Sequence, residues 1–158
     1  MRNKGFTLIE LMIVIAIIAI IAAIAIPNLI EARKHGNEAA AIGALKTIST
    51  SQAIFREGDK DGNGLLDYGT LGALSNSNLI ADILGSGTKQ GYFFNANGST
   101  TTPEFLWYAT ANPSVPTTTG DRYFVTNQAG VIYYTTGATQ TMNSTTTVIP
   151  GDVLPVGK

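Results

Sequence analysis

The longest uninterrupted apolar run lies at one end of the chain. It covers residues 6–26 and contains a single charged residue, Glu10. A helix of this length, at about 1.5 Å per residue, spans roughly 31 Å, close to the hydrocarbon thickness of a bilayer. A buried helix of a soluble protein rarely stays apolar on every face. The pattern therefore predicts a membrane-spanning helix, in which a carboxylate such as Glu10 is costly and points to a function.

Basic residues precede this run. Arg2 and Lys4 lie in the first five residues, and positive charge on this flank favours a cytoplasmic N-terminus, with the rest of the chain on the other side of the membrane. The run is longer than the apolar region of an ordinary secretory signal and lacks a small-residue cleavage site after it. We therefore expect the helix to be retained in the mature protein.

After Pro27 the pattern becomes amphipathic. Apolar residues recur near helical spacing over residues 28–57, which predicts that the helix continues with one face against a globular head at residues 58–158. The apolar positions are Ile42, Leu45, Ile48 and Phe55, and the polar Glu38, Lys46, Ser51 and Arg56 are expected to fall largely elsewhere. Because proline removes one helical hydrogen bond, a kink is expected at Pro27.

The head changes from helical to strand-like patterning. Residues 71–84 suggest a short helix or two, and four aromatic and β-branched runs follow, separated by Gly, Pro and Asn. These runs are Gly91–Phe94, Phe105–Ala111, Arg122–Thr126 and Val131–Thr135. Residues 127–130 are expected to form a hairpin connection. The threonine-rich stretch of residues 98–147 is suited to exposed strands and loops. The last ten residues are expected to form an irregular tail. The predicted fold is α+β, with one long helix packed on an antiparallel sheet of about four strands.

Composition excludes several classes of site. The 158 residues include no cysteine and one histidine, so disulfides, thiol nucleophiles, iron–sulfur centres, Cys-ligated zinc and attached haem are not expected. No serine nucleophile motif or nucleotide-binding loop is present, and we expect no enzyme activity. In residues 35–158 acidic side chains outnumber basic ones by nine to six, which argues against nucleic acid as a partner. His35 is interpreted as a partly exposed helix residue.

A candidate calcium loop follows the helix. Asp59, Asp61, Asn63 and Asp67 have the spacing of an EF-hand-type loop, and Gly64 permits its sharp turn. The carbonyl of Leu65 is a further candidate ligand, and Leu66 is expected to tuck inward. At the last ligand position Thr70 replaces the usual bidentate glutamate. The alternative is two tight turns built from the same residue types. The pattern does not distinguish a Ca²⁺-binding loop from two such turns.

The N-terminal motif resembles that of the type IV pilin and type II secretion pseudopilin family. The resemblance rests on a short basic leader ending in Gly5, followed by Phe6-Thr7-Leu8-Ile9-Glu10, the apolar run and Pro27. It implies a leader at residues 1–5, cleavage between Gly5 and Phe6 by a prepilin peptidase, and N-methylation of Phe6. It also implies that Glu10 pairs with the new amine of a neighbouring copy during assembly, and that Pro27 bends the helix of residues 6–27.

The function implied is that of a structural subunit of a type IV pilus, used for adhesion, motility or as a surface fibre. The implied partners are further copies of the chain, minor pilins, the peptidase, and an assembly platform with its ATPase. The precursor is expected in the bacterial inner membrane, and the filament outside it. A type II secretion pseudopilin is the alternative, favoured weakly by the candidate calcium loop and the lack of cysteine. A third interpretation is a membrane-tethered binding module that never polymerises. The Gly5-Phe6 junction and Glu10 argue against it, because a tether needs neither a cleavable leader nor a carboxylate in the membrane.

Overall fold

A computed structural model describes residues 5–137, 139–140, 142, 145 and 147–157. The chain divides into two compact units, Met1–Arg33 and Lys34–Lys158. Helix α1 (Leu8–Glu57) contributes to both, and all other elements belong to the second unit. These are α2 (Leu71–Asn76), α3 (Asp82–Gly85), β1 (Thr88–Lys89), β2 (Tyr92–Gly98), β3 (Trp107–Pro113), β4 (Tyr123–Asn127), β5 (Ile132–Thr135) and β6 (Leu154–Pro155). The predicted α+β class is confirmed.

The sheet has six antiparallel strands in the order β1-β2-β3-β4-β5-β6. The prediction of about four strands was wrong because the two edge strands are only two residues long, too short to show an alternating pattern. The last of them lies in the stretch predicted to be an irregular tail. Leu154 pairs with Tyr134, and the Val156 N–H donates to the Ile132 carbonyl at 2.8 Å. Pro155 is tolerated there because an edge strand can spare an N–H group.

The core lies between the sheet and the part of α1 that follows Lys34. Buried Leu45, Ile48 and Phe55 of the helix belong to one cluster with Trp107 and Phe124 of the sheet. The predicted amphipathic face is therefore confirmed. The expectation that Glu38 and Ser51 lie off this face was wrong, because both are buried.

Buried polar groups of α1 bind the backbone of loops in the head. The Ser51 hydroxyl donates to the Leu79 carbonyl at 3.0 Å. The Gln52 amide binds Gly69 twice, donating to its carbonyl at 2.7 Å and accepting its N–H at 3.0 Å. Helical periodicity assigns polar side chains such as these to the surface. Burial of the Ser51 and Gln52 side chains is favourable here because each hydrogen bond also satisfies a backbone group of the head.

Glu38 anchors the loop between β3 and β4. Its side chain is 3% exposed. One carboxylate oxygen accepts the N–H groups of Asp121 (2.9 Å) and Arg122 (3.1 Å), and the other accepts Nε of Arg122 at 2.8 Å. Lys34 adds an ion pair to Asp121 at 3.2 Å, and the buried Tyr92 hydroxyl donates to the Arg122 carbonyl at 2.9 Å. His35, predicted as a helix surface residue, is exposed at 3.8 Å from Glu38.

The outer face of the sheet is covered by a C-terminal strap, which we define as the described residues between Thr139 and Val153. Tyr108 and Val125 of the sheet pack with Met142 of the strap. Side chains fasten it at three places: Asn112 to the main chain of Gln140 (3.0 and 3.3 Å), Asn127 to the Thr147 carbonyl (3.1 Å), and Ser99 to the Thr145 carbonyl (2.9 Å). Thr147 is fully buried, so the threonine-rich stretch is not wholly the exposed surface that its composition predicted.

Candidate processing and assembly site

The Gly5-Phe6 junction lies before the first helical residue, Leu8. Both residues are exposed, and the Phe6 side chain is 83% exposed. The peptide bond between them is therefore not part of the helical hydrogen-bond ladder.

Thr7 and Glu10 form a capping box at the start of α1. The Thr7 N–H and hydroxyl both donate to Oε2 of Glu10, at 2.8 and 2.6 Å, and the Glu10 N–H donates to the Thr7 hydroxyl at 3.3 Å. This reciprocal pairing satisfies N–H groups that a helix start leaves unpaired. The Thr-x-x-Glu spacing of these two residues is the sequence signature of a capping box.

Glu10 has no cationic partner among the described residues. The basic residues of the predicted leader, Arg2 and Lys4, lie outside them. The capping box offers the carboxylate neutral donors only, so its charge is not compensated within the described part of the chain. A cation from outside this segment would therefore gain a full charge–charge interaction in a low-dielectric environment.

The side chains of the N-terminal run are apolar on all sides of the helix, apart from Thr7 and Glu10 near its start. Every large apolar side chain from Leu8 to Ile30 is exposed. The most apolar stretch of α1 is long enough to cross a membrane and is not buried inside the protein. The helix continues through Pro27, which lacks the N–H that would bind the Ala23 carbonyl. An apolar surface of this extent is stable only when lipid or other protein chains cover it.

The candidate calcium loop turns as predicted, with positive φ at Gly62 (69°) and Gly64 (81°). The Asn63 amide nitrogen lies 2.8 Å from an Asp61 oxygen and 3.4 Å from an Asp67 oxygen, so these two carboxylates approach one point. Asp59 accepts the Gly64 N–H at 3.1 Å with one oxygen, whereas its other oxygen is buried without a hydrogen-bond partner. A hard cation held between Asp61 and Asp67 would take the place of this nitrogen and would require the Asn63 amide to turn around.

Two other assignments in this loop differ from the prediction. Thr70 caps α2, since its hydroxyl accepts the Ala73 N–H at 3.1 Å, so this side chain is committed to the helix start. Leu66, expected to tuck inward, is 50% exposed, because the loop closes on Gln52 and Phe55 through Gly69 instead. Among the residues that the structure describes, no three His, Cys, Asp or Glu side chains form a metal-binding group. Ca²⁺ binding with Leu65 as a carbonyl ligand stays a prediction.

The N-terminal part of the chain is similar to a known family motif and to known pilins. Residues 1–26 match the model of the prokaryotic N-terminal methylation motif. The chain is 53% identical over 60 residues to the "Type IV major pilin protein PilA" of Myxococcus xanthus, a match that covers 37% of this chain and 27% of the relative. The resemblance to type IV pilins is confirmed over the N-terminal third of the chain. The names of these relatives describe them as major pilins or major components of type IV pili.

Two further pilin relatives match over a similar length. The "Type IV wide pilus major component PilA4" of Thermus thermophilus is 54% identical over 57 residues, which is 35% of this chain and 44% of the relative. A "Fimbrial protein" of Pseudomonas aeruginosa is 57% identical over 55 residues, or 33% and 36%. The matches thus span from about a quarter to less than half of these pilins. No solved structure gives a significant match to the chain.

Proposed function

We propose that this chain is a structural subunit that polymerises into a type IV pilus filament after cleavage between Gly5 and Phe6. The observation that carries the proposal is the exposure of every large apolar side chain from Leu8 to Ile30, a range in which Glu10 and Asn28 are the polar residues. Lipid covers that surface in the precursor, and neighbouring copies cover it in the filament. The precursor is a single-pass inner-membrane protein with its head outside the cytoplasm.

Cleavage supplies the cation that Glu10 lacks. It gives Phe6 a free α-amino group close to the start of α1. N-methylation leaves this group basic. Pairing this amine with Glu10 of a neighbouring copy removes the cost of an isolated charge in an apolar environment and sets the axial register of the two helices. The prepilin peptidase, the assembly platform and its ATPase are the partners that this scheme requires.

Two substitutions separate the charge of Glu10 from its role in the capping box. Glu10→Gln keeps a side chain that completes a capping box but removes the charge, whereas Glu10→Ala removes both. We expect both variants to be cleaved at Gly5-Phe6. Both should yield at least about tenfold less sheared filament than the wild type, because the interchain ion pair is lost. Glu57→Gln, an exposed glutamate at the other end of α1, is the matched control and should assemble normally.

The measurement is electron microscopy of sheared surface fibres, together with mass spectrometry of their subunits. Long fibres whose subunits begin at methylated Phe6 support the proposal. Normal filaments from Glu10→Gln would refute the ion pair and leave the capping box as the role of this residue. Wild-type subunits that are processed but found only in short periplasmic assemblies would identify the chain as a secretion pseudopilin instead.

A further inference from the structure

The loop after α1 holds an asparagine–glycine pair, Asn63-Gly64, in a folded conformation. The Leu65 N–H donates to Oδ1 of Asn63 at 2.7 Å. Because Leu65 follows Gly64 directly, this bond draws the Asn63 side chain along the peptide that joins Asn63 to Gly64. Both residues of the pair are exposed, and Gly64, with a φ of 81°, has no side chain to shield its nitrogen. The side-chain amide and the next backbone nitrogen therefore lie side by side in contact with water.

Two groups around this pair favour an attack of the Gly64 nitrogen on Cγ of Asn63. The Gly64 N–H donates to Oδ2 of Asp59 at 3.1 Å, so a carboxylate lies where the proton of the attacking nitrogen must go. The Leu65 N–H lies where negative charge develops on Oδ1 during the attack. The loop thus supplies a proton acceptor and a donor to the developing oxyanion.

A second asparagine–glycine pair, Asn97-Gly98, lies in a different environment. It belongs to β2, which pairs with β3 over its whole length. The Asn97 amide donates to Asn95 and Tyr108, and no N–H group of the described residues donates to its oxygen. The backbone is also confined, since a Cβ at Gly98 would come within 2.5 Å of the Tyr68 carbonyl oxygen. Ring closure at Asn97 would therefore have to distort a paired strand.

We propose that Asn63 is a self-modification site, which the loop converts to aspartate and isoaspartate without an enzyme. The Gly64 nitrogen forms a bond to Cγ of Asn63 while its proton passes to Asp59. The bond between Cγ and Nδ2 then breaks, and Nδ2 leaves as ammonia with that proton, returned through the solvent. Water opens the resulting cyclic imide at either carbonyl, which gives aspartate or isoaspartate.

The product carries a negative charge beside two carboxylates. In the unmodified loop the Asn63 amide donates to Asp61 at 2.8 Å and to Asp67 at 3.4 Å. After the reaction like charges replace these hydrogen bonds, so we expect the loop of a modified subunit to open. Because the reaction runs one way, older subunits acquire extra negative charge on the head. The site uses no residue of the processing and assembly site, so it does not depend on polymerisation.

The test follows the purified full-length chain in detergent during incubation at mildly alkaline pH. Cleavage after Lys60 and Lys89 places Asn63 in one peptide and Asn97 in the next, and tandem mass spectrometry locates the exchange of NH₂ for OH. We expect Asn63 to react at least about tenfold faster than Asn97, a difference of about 1.4 kcal/mol in activation free energy. Asn63→Gln should abolish the reaction at this position, because the longer side chain cannot close the same ring.

Three comparisons test the role of the fold. Asp59→Asn removes the proton acceptor with little change of shape and should slow the reaction of Asn63 at least about tenfold. The matched control, Asp152→Asn, removes a carboxylate from an exposed residue outside the loop and should leave the rate unchanged. In the chain unfolded by urea, Asn63 should react more slowly than in the folded chain.

Three results would overturn the proposal. They are a reaction at Asn63 no faster than at Asn97, a faster reaction at Asn63 in the unfolded chain, and a wild-type rate in Asp59→Asn. The second result would mean that the loop protects this asparagine. Near-UV circular dichroism of Trp107 shows whether each variant is folded.

Discussion

Removing the Glu38 carboxylate is expected to destabilise the head more than any other single charge change. The substitution Glu38→Ala leaves the N–H groups of Asp121 and Arg122 and the Arg122 guanidinium without their acceptor. Breaking a buried ion pair from one side costs about 3–5 kcal/mol. The Arg122 side chain is 32% exposed, so water compensates in part. We therefore expect the free energy of unfolding to fall by about 3 kcal/mol.

Glu38→Gln provides a graded second case. The amide oxygen can still accept the two backbone N–H groups, but its nitrogen is another donor facing Nε of Arg122. We expect a loss of about 2 kcal/mol, because the charge-assisted bond is lost and replaced by a donor–donor contact. The control is Glu57→Gln, whose exposed side chain should change stability by less than about 0.5 kcal/mol.

The assay is thermal and urea unfolding of the full-length chain in detergent, followed by near-UV circular dichroism of Trp107 and the tyrosines. A loss of about 3 kcal/mol corresponds to a Tm roughly 10–15 °C lower for a domain of this size. A loss below about 1 kcal/mol for Glu38→Ala would refute the reasoning, since it would mean that the loop between β3 and β4 is held without this carboxylate. An equal loss for Glu57→Gln would show that the effect is not local.

Two further predictions concern the loop after α1 and the alkaline limit of stability. If the loop binds Ca²⁺, millimolar CaCl₂ should raise the Tm of the wild type by several degrees, because ligand binding to the folded state stabilises it. The Tm of Asp61→Ala should not rise. An unchanged wild-type Tm counts against calcium binding. Burial, with a smaller contribution from Glu38, raises the pKa of Tyr92 above its ordinary value. The folded state then holds this proton after the unfolded chain releases it, so stability should fall as the pH rises above about 10. The free energy of unfolding, measured from pH 8 to 11, should fall less steeply with pH in Tyr92→Phe than in the wild type. An identical slope in the two proteins would contradict this prediction.

The sequence by itself determined the features that depend on neighbouring residues. The apolar run before Pro27, the Gly5-Phe6 junction and the amphipathic face of α1 follow from periodicity and local motifs, and the comparisons confirm the first third of the chain as pilin-like. The four longer strands and the turn after Asn127 could be predicted for the same reason, because their patterns span four or more residues and the turn has a glycine, Gly130, with φ of 73°.

Only the tertiary structure decided which polar residues are buried and what they hold. Glu38 lies 84 residues before Arg122, its partner, and Asn127 lies 20 residues before Thr147. Helical or strand periodicity carries no information about such distant pairs, so it assigns polar residues to the surface by default. The C-terminal strap and the pairing of the short edge strand β6 depend on long-range contacts of this kind. The physical reason is that a buried polar group is stabilised by a hydrogen-bond partner, and partners this distant in the sequence meet only once the chain has folded.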